Sequence, residues 1–198
     1  MLSVIAKCWL PGGGGFIGSH LASALTKDNR VRVLDYFSTG QRSSLPKDVT
    51  VIEGDVRDKE IINTAMDNID VVFHKDAMVS VPKSVKQQLS CRKLKVSAII
   101  NVLDFARQQD ARVVLASSAA VYGNPATVPI EGKDSIDSGT PNETEKHLGE
   151  QYAQFHTEEY GLPTVPLRYF NVYGPAGLTE NTLSCSAPSF VRPRPAIR

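Results

Sequence analysis

Three glycines spaced by three, Gly12, Gly15 and Gly18 in "WLPGGGGFIGSHL", limit what this chain can fold into more than any other feature. A short apolar run, "SVIAKCWL", precedes them. A segment with Phe16, Ile17, Leu21 and Leu25 along one helical face follows. The pattern predicts a strand, a tight turn and a helix. Glycine permits positive φ in such a turn and lets the backbone approach a bound pyrophosphate. The helix N-terminus then offers N–H donors and the positive end of its dipole. Taken alone the loop is weak, because glycine turns also serve as plain connections.

The rest of the chain repeats the alternation. Further strands are expected in "VRVLDY", "VTVIEGD", "DVVFH", "ARVVLASS" and "PTVPLRYF", each short, apolar and partly β-branched as buried parallel strands are. Helical segments are expected in "SVKQQLSCRKLKVSAIINVLDFARQQ", with Leu94, Ala98, Asn101, Val102 and Phe105 near helical spacing, and in "ETEKHLGEQYAQFHTEEYG", with Leu148, Tyr152 and Phe155 on one face and a stop at Gly161. The expected fold is α/β, a doubly wound parallel sheet of Rossmann type built from right-handed crossovers. That domain is expected over residues 1–175, with residues 176–198, rich in Ser, Thr and a Pro/Arg end, as an irregular tail.

Two acids fall at expected strand ends. Asp35 lies beyond the glycine loop at the distance of an acid that binds adenosine ribose hydroxyls, and an acid there repels a 2′-phosphate. NAD is therefore favoured over NADP; the alternative for Asp35 is an ordinary turn former. Asp55, in "EGDVRD", lies at another carboxyl edge, where open parallel sheets bind ligands. Its alternative role is to cap a helix starting near Lys59.

Bulk properties exclude several classes. The 22 basic and 21 acidic residues nearly cancel, so no global attraction to nucleic acid or anionic membrane is expected. No apolar run approaches the roughly 20 residues of a membrane span. The N-terminal stretch reads poorly as a signal peptide, and the three cysteines, Cys8, Cys91 and Cys185, are odd in number and far apart, which suits free thiols in a reducing, cytoplasmic setting. The four histidines show no metal-ligand spacing.

Nine stretches in order, "GGGGFIGSHL", "VLDYFSTG", "EGDVRD", "VVFH", "SVPKSV", "NVLDFAR", "VVLASSAAVYG", "EKHLGEQY" and "GLPTVPLRYFNVYGP", give a more specific signal. They resemble the extended short-chain dehydrogenase/reductases, in the NAD-dependent epimerase/dehydratase branch, and within it the UDP-glucose 4-epimerases. The resemblance runs to about Pro175. It implies NAD as cofactor and a nucleotide sugar, a UDP-hexose, as substrate, with 4-epimerisation by transient hydride transfer at carbon 4. It places Phe16 and Ile17 at the pyrophosphate and wraps Asp35, Tyr36, Phe37, Ser38, Thr39 and Gly40 around the adenosine ribose. Asp55 and Val56 border adenine, and Ala77 lines the cofactor. Ser118 is the catalytic hydroxyl, Lys146 the lysine of a Tyr-x-x-x-Lys pair, and Phe170 and Asn171 flank nicotinamide and substrate. Such a lysine lowers the tyrosine pKa by its charge. Ala119 and Ala120 follow Ser118 where related dehydratases and decarboxylases carry an acid, which favours simple epimerisation. The family also implies a homodimer through the long helix near residues 84–107 and the helix near 142–160.

The chain departs from that pattern. Asn142 stands at the tyrosine position, and an amide cannot cycle a proton near neutral pH. Lys75 and Asp76 follow His74 where small or apolar residues face NAD, Pro11 replaces a small residue before the loop, and Lys95 replaces a frequent Asn. No counterpart of the family's smaller C-terminal substrate domain is expected after Pro175. The expectation is an epimerase frame whose activity is impaired by Asn142 and truncation. The alternative is a non-catalytic NAD-binding or regulatory module, or an inactive fragment.

Overall fold

The computed structural model describes residues 5–75, 96–125 and 127–175. Its elements run β1 (Lys7–Pro11), α1 (Phe16–Leu25), β2 (Arg30–Asp35), β3 (Thr50–Glu53), α2 (Lys59–Met66), β4 (Val71–His74), α3 (Ala98–Gln108), β5 (Arg112–Ser118), α4 (Pro141–Tyr160) and β6 (Thr164–Tyr169). The six strands form one sheet in the order β3-β2-β1-β4-β5-β6, every neighbouring pair parallel. This is the doubly wound Rossmann-type sheet expected. The chain winds outward from β1 to β3, then crosses back to place β4 on the other side of β1. The winding direction reverses between β1 and β4, and the carboxyl ends of those two strands flank the crevice in which such sheets bind ligands.

Alternation along the strands sends side chains to two cores. Trp9, Leu34, Val72, Val113 and Leu115 face α2, α3 and α4 in the larger one. Cys8, Leu10, Val31 and Val33 face α1 in the smaller. Trp9 is wholly buried. Truncating a side chain of that size costs about 3–5 kcal/mol, through lost transfer energy and the cavity left behind.

The helices pack differently from their sequence pattern. On α1 the buried residues are Gly18, Ser19 and Ala22, while Leu21 and Leu25 pack at the flank. The reason is close approach, since a Cβ on Gly18 would lie 2.5 Å from the Gly12 carbonyl oxygen and 2.6 Å from Gly13 Cα. On α4 the buried residues are Glu145, Gly149, Glu150, Ala153 and His156, not the expected apolar face, and Tyr152 and Phe155 are exposed. Small residues let α4 approach α3 and β5, and of its buried polar groups Glu150 bonds Arg168 and His156 bonds the Tyr152 carbonyl. Leu94, and the first part of the expected long helix, lie outside the described residues. So do Cys91, Cys185, Asp76, Lys95 and the expected tail.

α4 begins with a capping box. Thr140 Oγ1 accepts from the Glu143 N–H, and the Glu143 carboxylate accepts from the Thr140 N–H at 2.8 Å. Pro141 takes the first helical position, which needs no N–H. Asn142 is therefore the second residue of the helix, not its cap. The helix stops at Gly161, in the left-handed conformation at φ 69.

Candidate active site

The glycine loop leaves β1 at Pro11 and turns at Gly12, whose φ of 77 is ordinary only for glycine. The Gly12 N–H donates to the Leu34 carbonyl at 2.8 Å, which ties the loop to the end of β2. α1 then opens on Gly15, which has no side chain to cap the first turn. A helix start of this kind leaves its N–H groups for an outside acceptor.

Asp35 ends β2 beside this loop. Its Oδ2 accepts from the Gly14 N–H and its Oδ1 from the Phe37 N–H, each at 2.8 Å. A carboxylate has about four acceptor sites, so both oxygens keep capacity for further donors such as sugar hydroxyls. Phe37 takes φ 53 so that the chain folds back toward the loop. The Gln41 N–H closes this turn on the Gly14 carbonyl at 3.0 Å. Tyr36, Ser38 and Thr39 are exposed on it, while Gly40 is half-buried.

At the next strand end, Asp55 pairs with Arg57 through two donors of the guanidinium. That hydrogen-bonded pairing, against a smaller opposing effect of burial, holds its carboxyl below the usual range. Asp55 does not cap α2. Asp58 does, accepting from the Glu60 and Ile61 N–H groups, because it stands directly before Lys59. Val56 is buried in the larger core.

Ser118 ends β5, and its Oγ accepts from the Ala120 N–H at 3.2 Å. The short 3-10 turn Ala119–Tyr122 follows directly. Lys146, on α4, donates through Nζ to the Ala116 carbonyl at 2.6 Å, two residues back along the same strand. Ser118 and Lys146 are thus brought to the carboxyl end of β5. Asn142 sits half-buried one turn before Lys146. Phe170 and Asn171 follow β6 and are exposed. The segment they begin returns to α1, since the Gly174 Cβ position lies 3.6 Å from the Phe16 ring. Ala77 lies outside the described residues.

Two features of the site were not read from the sequence. The first is a polar cluster behind Ser118. Arg168 on β6 forks onto both oxygens of Glu150 at 2.9 and 2.8 Å, and also donates to the Tyr122 hydroxyl at 2.8 Å. Ser117 Oγ donates to Glu150 as well. Burial pushes the Glu150 carboxyl up, but the hydrogen bonds from Arg168 and Ser117, with the Arg168 charge, outweigh it and hold it below the ordinary value. An arginine within the apolar run "PTVPLRYF" was the available signal. The second is at the end of β4. His74 is 2% exposed, and neither ring nitrogen has a hydrogen-bond partner among the described residues. Burial, with the Lys146 and Lys75 ammoniums, pushes its pKa down to about 3. Lys75 was noted as a departure, but not its partner: its Nζ bonds the Tyr169 hydroxyl and lies 4.4 Å from that ring's centroid. Among the described residues, no group of three or more metal-ligating side chains is placed to hold an ion, and no helix is long and apolar enough to cross a membrane.

Comparison with known proteins bears on this arrangement directly. The family described as the NAD-dependent epimerase/dehydratase family matches residues 9–192. A putative UDP-glucose 4-epimerase of Methanocaldococcus jannaschii is 35% identical over 169 residues, covering 82% of this chain and 55% of that protein. The structure of a UDP-glucose 4-epimerase from Thermus thermophilus, in complex with NAD, superposes with a TM-score of 0.81 at 34% identity, over 86% of this chain and 57% of that one. A UDP-N-acetylglucosamine 4-epimerase from Methanobrevibacter ruminantium, in complex with UDP-N-acetylmuramic acid, gives 0.82 at 33% identity, over 86% and 56%. The chain spans about half the length of the curated relatives it matches. With that family matched over residues 9–192 and the same doubly wound sheet in its solved relatives, the chain belongs to the NAD-dependent epimerase/dehydratase family.

Proposed function

We propose that this chain is the NAD-binding part of a nucleotide-sugar 4-epimerase, with UDP-hexose as substrate, in which Asn142 removes the usual proton-cycling group. The observation that carries the reading is the Asp35 carboxylate fixed by the Gly14 N–H at the mouth of the glycine loop. That contact presets one acid and one uncapped helix N-terminus as a single ligand wall. The solved relative from Thermus thermophilus, bound to NAD, supports the same reading.

NAD bound here would supply reversible hydride acceptance for the sugar carbon. Gly15, Phe16 and Ile17 hold the pyrophosphate by backbone N–H groups, and Asp35 accepts from the ribose hydroxyls. Asp55 and Val56 border adenine, and Phe170 with Asn171 meets the nicotinamide and the sugar. Lys146 holds the nicotinamide ribose. Ser118 hydrogen-bonds the sugar hydroxyl whose proton must leave. Removing that proton needs a base, and the Asn142 amide is not one near neutral pH.

A UDP-galactose to UDP-glucose assay tests this. The chain as it stands is expected to turn over negligibly. Asn142→Tyr is expected to raise turnover by on the order of 10²–10⁴-fold, the usual contribution of a positioned acid/base. Clear turnover by the unaltered chain would overturn the role given to this position. Asn142 also supports a second reading, a non-catalytic NAD-binding module. In that case Asn142→Tyr leaves NAD affinity unchanged and gains no turnover. A homodimer through α3 and α4 is supported by Tyr152, Phe155 and Tyr160, exposed along α4; sedimentation of a monomer at high concentration would count against it.

A further inference from the structure

Lys75 lies at the point where the winding of the sheet reverses. It directly follows β4, and its N–H donates at 2.9 Å to the carbonyl of Pro11, the residue before the glycine loop. Its stem is half-buried. Its Nζ donates to the Tyr169 hydroxyl. Tyr169 is the register partner of Ser118, so the pair spans from β4 across β5 to β6 at the carboxyl edge.

We propose that Lys75 is a nucleophilic amine of the crevice, which captures small anionic carbonyl compounds as a Schiff base with Tyr169 as its proton partner. The inference concerns a different group and does not rest on the hydride chemistry proposed above. The Nζ lone pair attacks the carbonyl carbon, a C–N bond forms, and the carbonyl π pair moves to oxygen. That oxygen takes a proton, and the carbinolamine then loses water. Amine and carbonyl give imine and water, with no oxidant or reductant consumed. The Tyr169 hydroxyl is placed to give and recover the proton, because it already bonds Nζ.

Burial supports the chemistry, since it lowers the Lys75 pKa to about 8 and so supplies free amine near neutral pH. It also raises the Tyr169 pKa, so the phenol keeps its proton and remains a donor. The preference for anions follows from the second ammonium of the crevice. Lys146 and Lys75 both lower the pKa of the buried His74 ring, so two ammonium charges lie near it.

The test uses pyridoxal 5′-phosphate as the probe, at less than one equivalent, followed by borohydride reduction and peptide mass spectrometry of the whole chain. Lys75 is expected to carry most of the label, and the rate to level off above about pH 8. Label spread over the surface lysines, or a Lys75 rate still climbing at pH 10, would overturn the proposal. Tyr169→Phe keeps the ring and removes the proton partner, so labelling at Lys75 is expected to slow several-fold. An unchanged rate in that variant would remove Tyr169 from the step. The decisive readout is the distribution on the unaltered chain, which does not depend on any variant folding.

Discussion

At the scale of single residues, this crevice is organised by a few side chains whose surroundings decide their charge. His74 is the clearest case. Its ring is buried beside two ammoniums, and its pKa falls from 6.5 to about 3. The unfolded chain takes up a proton below about 6.5, whereas the folded ring stays neutral until about 3. The stability it contributes is therefore complete above 6.5 and lost progressively as the pH falls toward 3. Urea unfolding between neutral pH and about pH 4 should show this loss, on the order of 3 kcal/mol from this group. In His74→Leu the acid limb should be flatter, and an unchanged slope would contradict the assignment. Sequence pointed to Asp35 by its distance from the glycine loop, and to Ser118 and Lys146 through the resemblance. His74 and the Lys75–Tyr169 contact were not legible as a site. Their roles come from burial and from residues 94 positions apart meeting across the sheet, which no local spacing encodes.

At the scale of elements, α4 carries the most information. Its run from Glu143 and its end at Gly161 were readable. Its buried face was not, because the pattern of Leu148, Tyr152 and Phe155 suggested an apolar stripe. The structure buries Gly149, Ala153 and Glu150 instead. Glu150 is tolerated there because Arg168 crosses from β6 with a bidentate contact. Removing one member of such a pair leaves a charge buried without its partner. Arg168→Met is therefore expected to cost about 3–5 kcal/mol, with part of that recovered in the double variant Glu150→Met with Arg168→Met. A single-variant loss below about 1 kcal/mol would place the pair in the class of exposed ion pairs. The Glu150 carboxyl titrates below its ordinary value, so its contribution is present above the unfolded carboxylate value of about 4.3 and is lost as the pH falls through the lower folded value.

At the scale of the whole molecule, all six strands and the parallel, doubly wound arrangement were legible from alternation and strand composition. Strand order was not legible there, because no local spacing encodes which strands become neighbours. The order matters because it sets the reversal between β1 and β4, and with it the place where the glycine loop, Asp35, Lys75 and the end of β5 converge. The central claim is that this convergence binds NAD. Calorimetric titration of the chain with NAD, beside NADP and beside Asp35→Ala, tests it most directly. The expected result is saturable heat with NAD, weaker binding of NADP because Asp35 repels a 2′-phosphate, and a loss of about tenfold or more in affinity in Asp35→Ala, as removal of a charged hydrogen-bond acceptor implies. No heat at millimolar NAD, or equal binding by the Asp35→Ala chain, would contradict the account.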